Sequence, residues 1–294
     1  MIRRLRTGLL SAGATAAAWE ALRATPPGGA AVWERRNHRG EPVTLLEGPA
    51  FAAGALSGVV LGAAIEGRTK AAAVLATAGA AGLGAYDDLA GDGSSRGLRG
   101  HLGALRRGEV STGAVKVGGL AVTGLLAAAA LPPRPGEPAT GAGRVADIAL
   151  SGALVAGTAN LVNLLDLRPG RALKAVVGLG ALTALGGGPA GRLAASAVGA
   201  AATSLRPDLG ERAMLGDTGA NAAGALLGLA WVRGLSRPAR LFALAAVTGL
   251  TLASERVSFS AVIDRTPALR AVDQLGRRPP ERDPAGSAET APRS

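Results

Sequence analysis

Nine stretches of the chain are almost free of charge: about 7–22, 49–65, 71–86, 112–131, 145–163, 172–188, 192–205, 219–232 and 238–253. They are built largely from alanine, glycine, valine and leucine. A soluble protein of 294 residues would have to hide nine nearly all-apolar helices in one core, more than so small a chain covers. In a bilayer the same runs read as spanning helices. Several hold only about 14 to 18 residues, near or below the roughly 17–25 that a span requires. The expected fold class is therefore all-α: a polytopic integral membrane helix bundle with about nine transmembrane helices over residues 1–255. A cytoplasmic amphipathic segment over 256–276 and a disordered tail over 277–294 are expected to follow, the tail on its Pro, Arg and Ser content.

Composition narrows the chemistry. The chain is 48% hydrophobic but only 2% aromatic and carries 45 glycines, so a water-facing fold would lack the large side chains that supply most burial energy. Between membrane helices, small residues permit close approach. With no cysteine there are no disulfides, thiol catalysis or cysteine-held metals, and two histidines, His38 and His101, make a multi-histidine metal site improbable. A net charge of +11 suits either nucleic acid or anionic head groups and phosphate substrates. The arginines are dispersed and no stacking aromatics or basic helix accompany them, so no nucleic-acid partner is expected. No cleavable signal peptide stands out, since Trp19 and Glu20 interrupt the first apolar run.

With the N-terminus outside and nine crossings, the inside segments carry 20 Arg and Lys against 11 outside, the expected direction of bias. The MIRRLR start pulls the other way. This orientation brings the uncommon non-basic polar residues to one face. Asp87 and Asp88 follow span three in YDDLAGDG. NLVNLLD closes span five and sets Asn160, Asn163 and Asp166 on one helix face. MLGDTGAN precedes span eight and holds Asp217 in a glycine-flanked turn.

Each piece has a plain structural reading as well. Paired aspartates end helices, NxxNxxD makes interhelical hydrogen bonds, and Asp217 or Thr218 caps span eight. Together, four carboxylates and two amides at one depth favour a divalent cation, which prefers oxygen ligands. The glycine-rich turn offers free N–H groups suited to phosphate. A transporter fits less well, because these groups gather at one face and not at mid-bilayer.

The order DD, NxxNxxD, GDxG, together with RNHRGEPVTLLEGPAFAAG ahead of them, resembles the polyprenyl-phosphate N-acetylhexosamine-1-phosphate transferases. That family includes phospho-MurNAc-pentapeptide translocase and the GlcNAc-1-phosphate transferases, and the likeness runs from about Arg35 to Leu229. The resemblance implies Asp87, Asp88 and Asp217 as catalytic, with magnesium on Asp217 and Asp88. It implies Asn160, Asn163 and Asp166, with Lys116, as contacts of the UDP-sugar. A multi-pass plasma-membrane enzyme would then pass sugar-1-phosphate to polyprenyl phosphate and release UMP; a homodimer is compatible with this. The chain departs from the family in reading LRPGR after Asp166 and in lacking a His-rich loop near its last spans. The basic segment RGLRGHLGALRRGEVSTG, with His101, reads as an interfacial helix. A non-catalytic membrane protein of the same fold, binding lipid phosphate or scaffolding envelope synthesis, is the alternative.

Overall fold

The computed structural model describes residues 1–62, 65–90 and 112–279. The expected interfacial helix with His101, and the tail beyond Pro279, lie outside these residues. Of the described residues 78% are helical, with almost no sheet, so the all-α class holds. In order come α1 (Ile2–Ala24), a single turn α2 (Ala30–Trp33), and the hairpin β1 (Glu34–Arg36) and β2 (Pro42–Thr44). Then follow α3 (Glu47–Leu61), α4 (Gly67–Ala90), α5 (Thr112–Ala130), α6 (Gly141–Leu165) and α7 (Arg171–Leu185). The chain continues through α8 (Gly188–Leu209), α9 (Gly216–Gly234), α10 (Arg237–Ser254), α11 (Phe259–Arg265) and α12 (Pro267–Gln274). Each of the nine apolar runs lies largely on one long helix, from α1 to α10. Alanine and leucine favour helix, and serine or proline marks several starts: Ser236 and Ser258 cap α10 and α11, with proline in the first turn of α8, α10 and α12.

Among the described residues, two helices can each cross a membrane by length and apolar content, at 113–130 and 141–165. A third can if α10 and α11, bent by 96° at their junction, form one broken span. The helix α3 is apolar but has 15 residues, about 22 Å at 1.5 Å per residue, short of a roughly 30 Å hydrocarbon layer. Large apolar side chains nevertheless face outward on several helices, among them Leu126, Leu182 and Phe242. Such exposure fits a membrane protein and is unusual on a water-soluble monomer.

The hub is α9. It packs against α3, α4, α6, α7 and α8, and nearly all its residues from Thr218 to Val232 are buried. Contact at this range needs small side chains. A Cβ at Gly84 of α4 would sit 2.2 Å from the Asp217 carbonyl oxygen, and one at Gly224 of α9 would sit 2.4 Å from that of Thr158.

Consecutive long helices reverse direction, so two sets of ends form. At one end meet the close of α4, α6 and α8 and the start of α5, α7 and α9. At the other, arginines reach carbonyls where helices finish: Arg4 at Ala184 and Leu185, Arg68 at Ala130, Arg134 at Val232 and Leu235. There too Arg240, 1% exposed, pairs with Glu137 and Asp147 and donates to Ser151 at 2.9 Å.

The segment after α10 folds back onto the first of these ends. Arg171 holds Asp273 at 2.7 Å, Arg277 pairs with the same carboxylate at 2.6 Å, and Arg278 pairs with Glu41 of the hairpin. Arg277 and Arg278, placed in the tail by composition, are thus held against the bundle.

Candidate functional site

The first turn of α9 anchors the site. Gly216 has φ +63°, which favours glycine, and a Cβ there would crowd both carboxylate oxygens of Asp88 at 3.1 Å. Leu215, at the N-cap position, supplies no side-chain bond. Neither Asp217 nor Thr218 caps the helix either; the cap comes from α4. Asp88 Oδ1 accepts the Asp217 N–H at 2.9 Å, and Oδ2 accepts the Thr218 N–H at 2.9 Å and its hydroxyl at 2.6 Å. A carboxylate placed against the free N–H groups and positive end of a helix is stabilised by both. Arg35 of the hairpin donates to the Asp88 carbonyl and ties the first loop to the same turn.

Asp87 and Asp217 converge on one cation, the Lys116 ammonium on the first turns of α5. It lies 3.3 Å from Asp87 Oδ2 and in direct contact with Asp217 Oδ2. Lys116 and Asp217 are partly shielded from water, and Asp217 lies just outside the apolar run of α9. Burial and the hydrogen bond to Asp87 push its carboxyl up to about 7, against the pull of Lys116.

Asp166 follows the last turn of α6, where its N–H bonds the Asn163 carbonyl at 3.0 Å. Burial, then Asp208 and Asp217, push its carboxyl up, and the Gly216 N–H acts the other way. It lines a small cavity of about 40 Å³ with His38, Arg168, Asp208 and Glu211. Asn160 and Asn163 are half-buried on the preceding turns of α6. The structure therefore brings Asp87, Asp88, Lys116 and Asp217 into direct contact, with Asp166 beside them electrostatically.

Several residues escape a reading by motif. Asp208, at the end of α8, accepts the Gly170 N–H at 3.1 Å where α7 begins, and burial pushes it up to about 7. Glu211 adopts φ +51°, rare for a side-chain-bearing residue, and is held by Asn37 at 3.0 Å and Arg39 at 3.1 Å from the hairpin loop. Burial lowers the pKa of His38 nearby, with Glu211 opposing. Glu47, at the head of α3, is 1% exposed, and burial, Asp208 and Asp166 all push its carboxyl up. The signal for Asp208 and Glu211 is present in RPDLGERAMLGD, where two acids precede GD by a few residues.

The donors suit magnesium in type: Asp87 and Asp217 offer hard oxygens that already share a cation. Both oxygens of Asp88 are engaged by α9. Among the described residues no group of three His, Asp or Glu side chains is arranged as a metal centre. Comparison with protein-family models and with curated proteins returns no match.

Proposed function

We propose that this is an integral membrane transferase that moves sugar-1-phosphate from a UDP-N-acetylhexosamine to polyprenyl phosphate. It would cross the plasma membrane nine times with its N-terminus outside and its site at the cytoplasmic face. The supporting observation is the Asp87–Lys116–Asp217 cluster at the glycine-opened N-terminus of a buried hub helix. In the reaction a lipid phosphate oxygen bonds to the β-phosphorus. The bond from that phosphorus to the bridging oxygen breaks, and UMP leaves with its electron pair. Magnesium, held by Asp217 and Asp87, would supply neutralising charge to the diphosphate. Lys116 sits where it can neutralise a phosphate oxygen, and Asp88 positions Asp217 by holding its backbone. Asp166 and His38 border the approach from the first loop.

The test is UMP release by purified protein given magnesium, polyprenyl phosphate and a panel of UDP-sugars. Asp217→Asn and Lys116→Met are each expected to lower the rate about 10²–10³-fold while the protein stays in the membrane. Unchanged turnover in both overturns the assignment.

A second reading, a non-catalytic protein of this fold, draws on Asp88: its whole carboxylate serves to cap α9. Absence of UMP across the sugar panel in protein that still melts cooperatively supports that reading.

A further inference from the structure

A second cavity, about 260 Å³, lies between the C-terminal ends of α1 and α8 and the start of α3. Trp19, Arg23, Glu47, Ser204, Arg206 and Arg212 line it, and none of Asp87, Asp88, Lys116 or Asp217 does. Its depth holds two groups with nothing to bind. Neither carboxylate oxygen of Glu47 has a hydrogen-bond partner among the described residues, nor has the Ser204 hydroxyl, and both side chains are buried. A buried carboxylate without a donor is costly, so these atoms call for a ligand that donates to them.

The mouth has the opposite character. Arg206 and Arg212 are exposed and form no ion pair among the described residues. Arg23 stands 5.4 Å over the Trp19 ring, with Glu20 3.6 Å away. Guanidinium groups are matched to phosphate by charge and by their forked donors. A tryptophan in the wall suits a site at the membrane–water boundary.

We infer that this cavity binds a phosphate ester whose alcohol carries a hydrogen-bond donor, of the kind found in ethanolamine and glycerol head groups. The phosphate meets Arg23, Arg206 and Arg212, and the ammonium or hydroxyl reaches Glu47 and Ser204. The inference does not depend on the transferase reading, because it uses none of that reaction's residues.

The full chain, reconstituted in phosphatidylcholine nanodiscs, is titrated with phosphatidylethanolamine or phosphatidylglycerol while its thermal unfolding is followed. Phosphatidylcholine carries the phosphate but no donor, and so serves as the reference. Either donor-bearing lipid is expected to raise the midpoint. Glu47→Met is expected to abolish that dependence while leaving the midpoint in phosphatidylcholine equal or higher. The exposed pair Arg206→Ala/Arg212→Ala is expected to raise the half-saturating lipid fraction at least tenfold. A parallel titration with O-phosphoethanolamine and glycerol phosphate separates the sources. Saturation by these alone assigns a soluble ester, and a response to lipid only assigns the membrane. Equal midpoints in all lipids and with both soluble esters, or a shift that survives both variants, overturns the site and leaves the cavity to water.

Discussion

The two ends of the helix bundle meet the free backbone groups of their helices with opposite charges. At the end holding the candidate site, carboxylates face helix N-termini: Asp88 at α9 and Asp208 at α7. At the other end, guanidinium groups face helix C-termini, as Arg68 and Arg144 do at the close of α5. Both arrangements complement the helix dipole. They differ in what remains. Acids at the arginine end find cationic partners, as Glu137 and Asp147 do on Arg240 and Glu66 does on Arg233. At the site end the acids are placed differently: Asp87 and Asp217 both face Lys116, and Glu47 has no hydrogen-bond partner among the described residues. Acids held out of water with raised carboxyls mark a candidate functional site, whereas the paired acids of the other end fasten helices together.

Three variants probe that contrast. The largest effect is expected at the fastened end. Arg240→Met leaves Glu137 and Asp147 without their buried partner and should cost about 3–5 kcal/mol in unfolding, with the UMP rate per folded molecule unaltered. A fall in rate at constant stability would break the division between the ends.

Next is Asp208→Asn. The Asp208 carboxyl, pushed from 3.8 to about 7, keeps in the native state a proton that the unfolded chain releases above about pH 4. Stability present at pH 4 is therefore lost as pH rises towards 7. The amide removes that dependence, so the variant should exceed the parent by about 2–4 kcal/mol at pH 8 and match it near pH 4. Chemical unfolding at the two pH values checks this, and parallel pH profiles would count against a protonated Asp208.

The smallest effect is expected for Asp88→Asn, which keeps one acceptor for α9 and loses the other. A loss of about 1–2 kcal/mol is expected, accompanied by a fall in UMP release, because Asp217 is positioned through its own N–H. A rate lost with no change in stability would make Asp88 a direct participant in the chemistry.

Much of the architecture is legible in the chain. Alternation of charge-free runs with short polar breaks is enough to place the nine long helices of the described residues, because a run of alanine and leucine has few other uses. The ends are less legible: Gly62 closes α3 before its apolar run is finished, and Arg171 already belongs to α7. For the site, the DD and GD pairs identify Asp87, Asp88 and Asp217, and Lys116 stands out as a lone cation in an apolar run. Their division of labour does not follow from the motifs. Whether an aspartate caps its own helix or a neighbour's depends on how closely α4 and α9 approach, which is set by Gly84 and Gly216 in three dimensions. Asp208 and Glu211 show in the chain only as two acids shortly ahead of GD, and Glu47 carries no local pattern; all three become conspicuous once folding has removed their water.

The position of α9 in the chain has a consequence for how the protein is made. It is the eighth of the nine long helices among the described residues, yet the five that enclose it, α3, α4, α6, α7 and α8, all leave the ribosome before it. Until Gly216–Gly234 is synthesised, those helices surround a slot shaped for alanine and glycine, and Asp88 has no helix to cap. Chain termination just short of α9 would leave most of the helices without Asp217 and its turn, so the candidate site is completed late in biosynthesis.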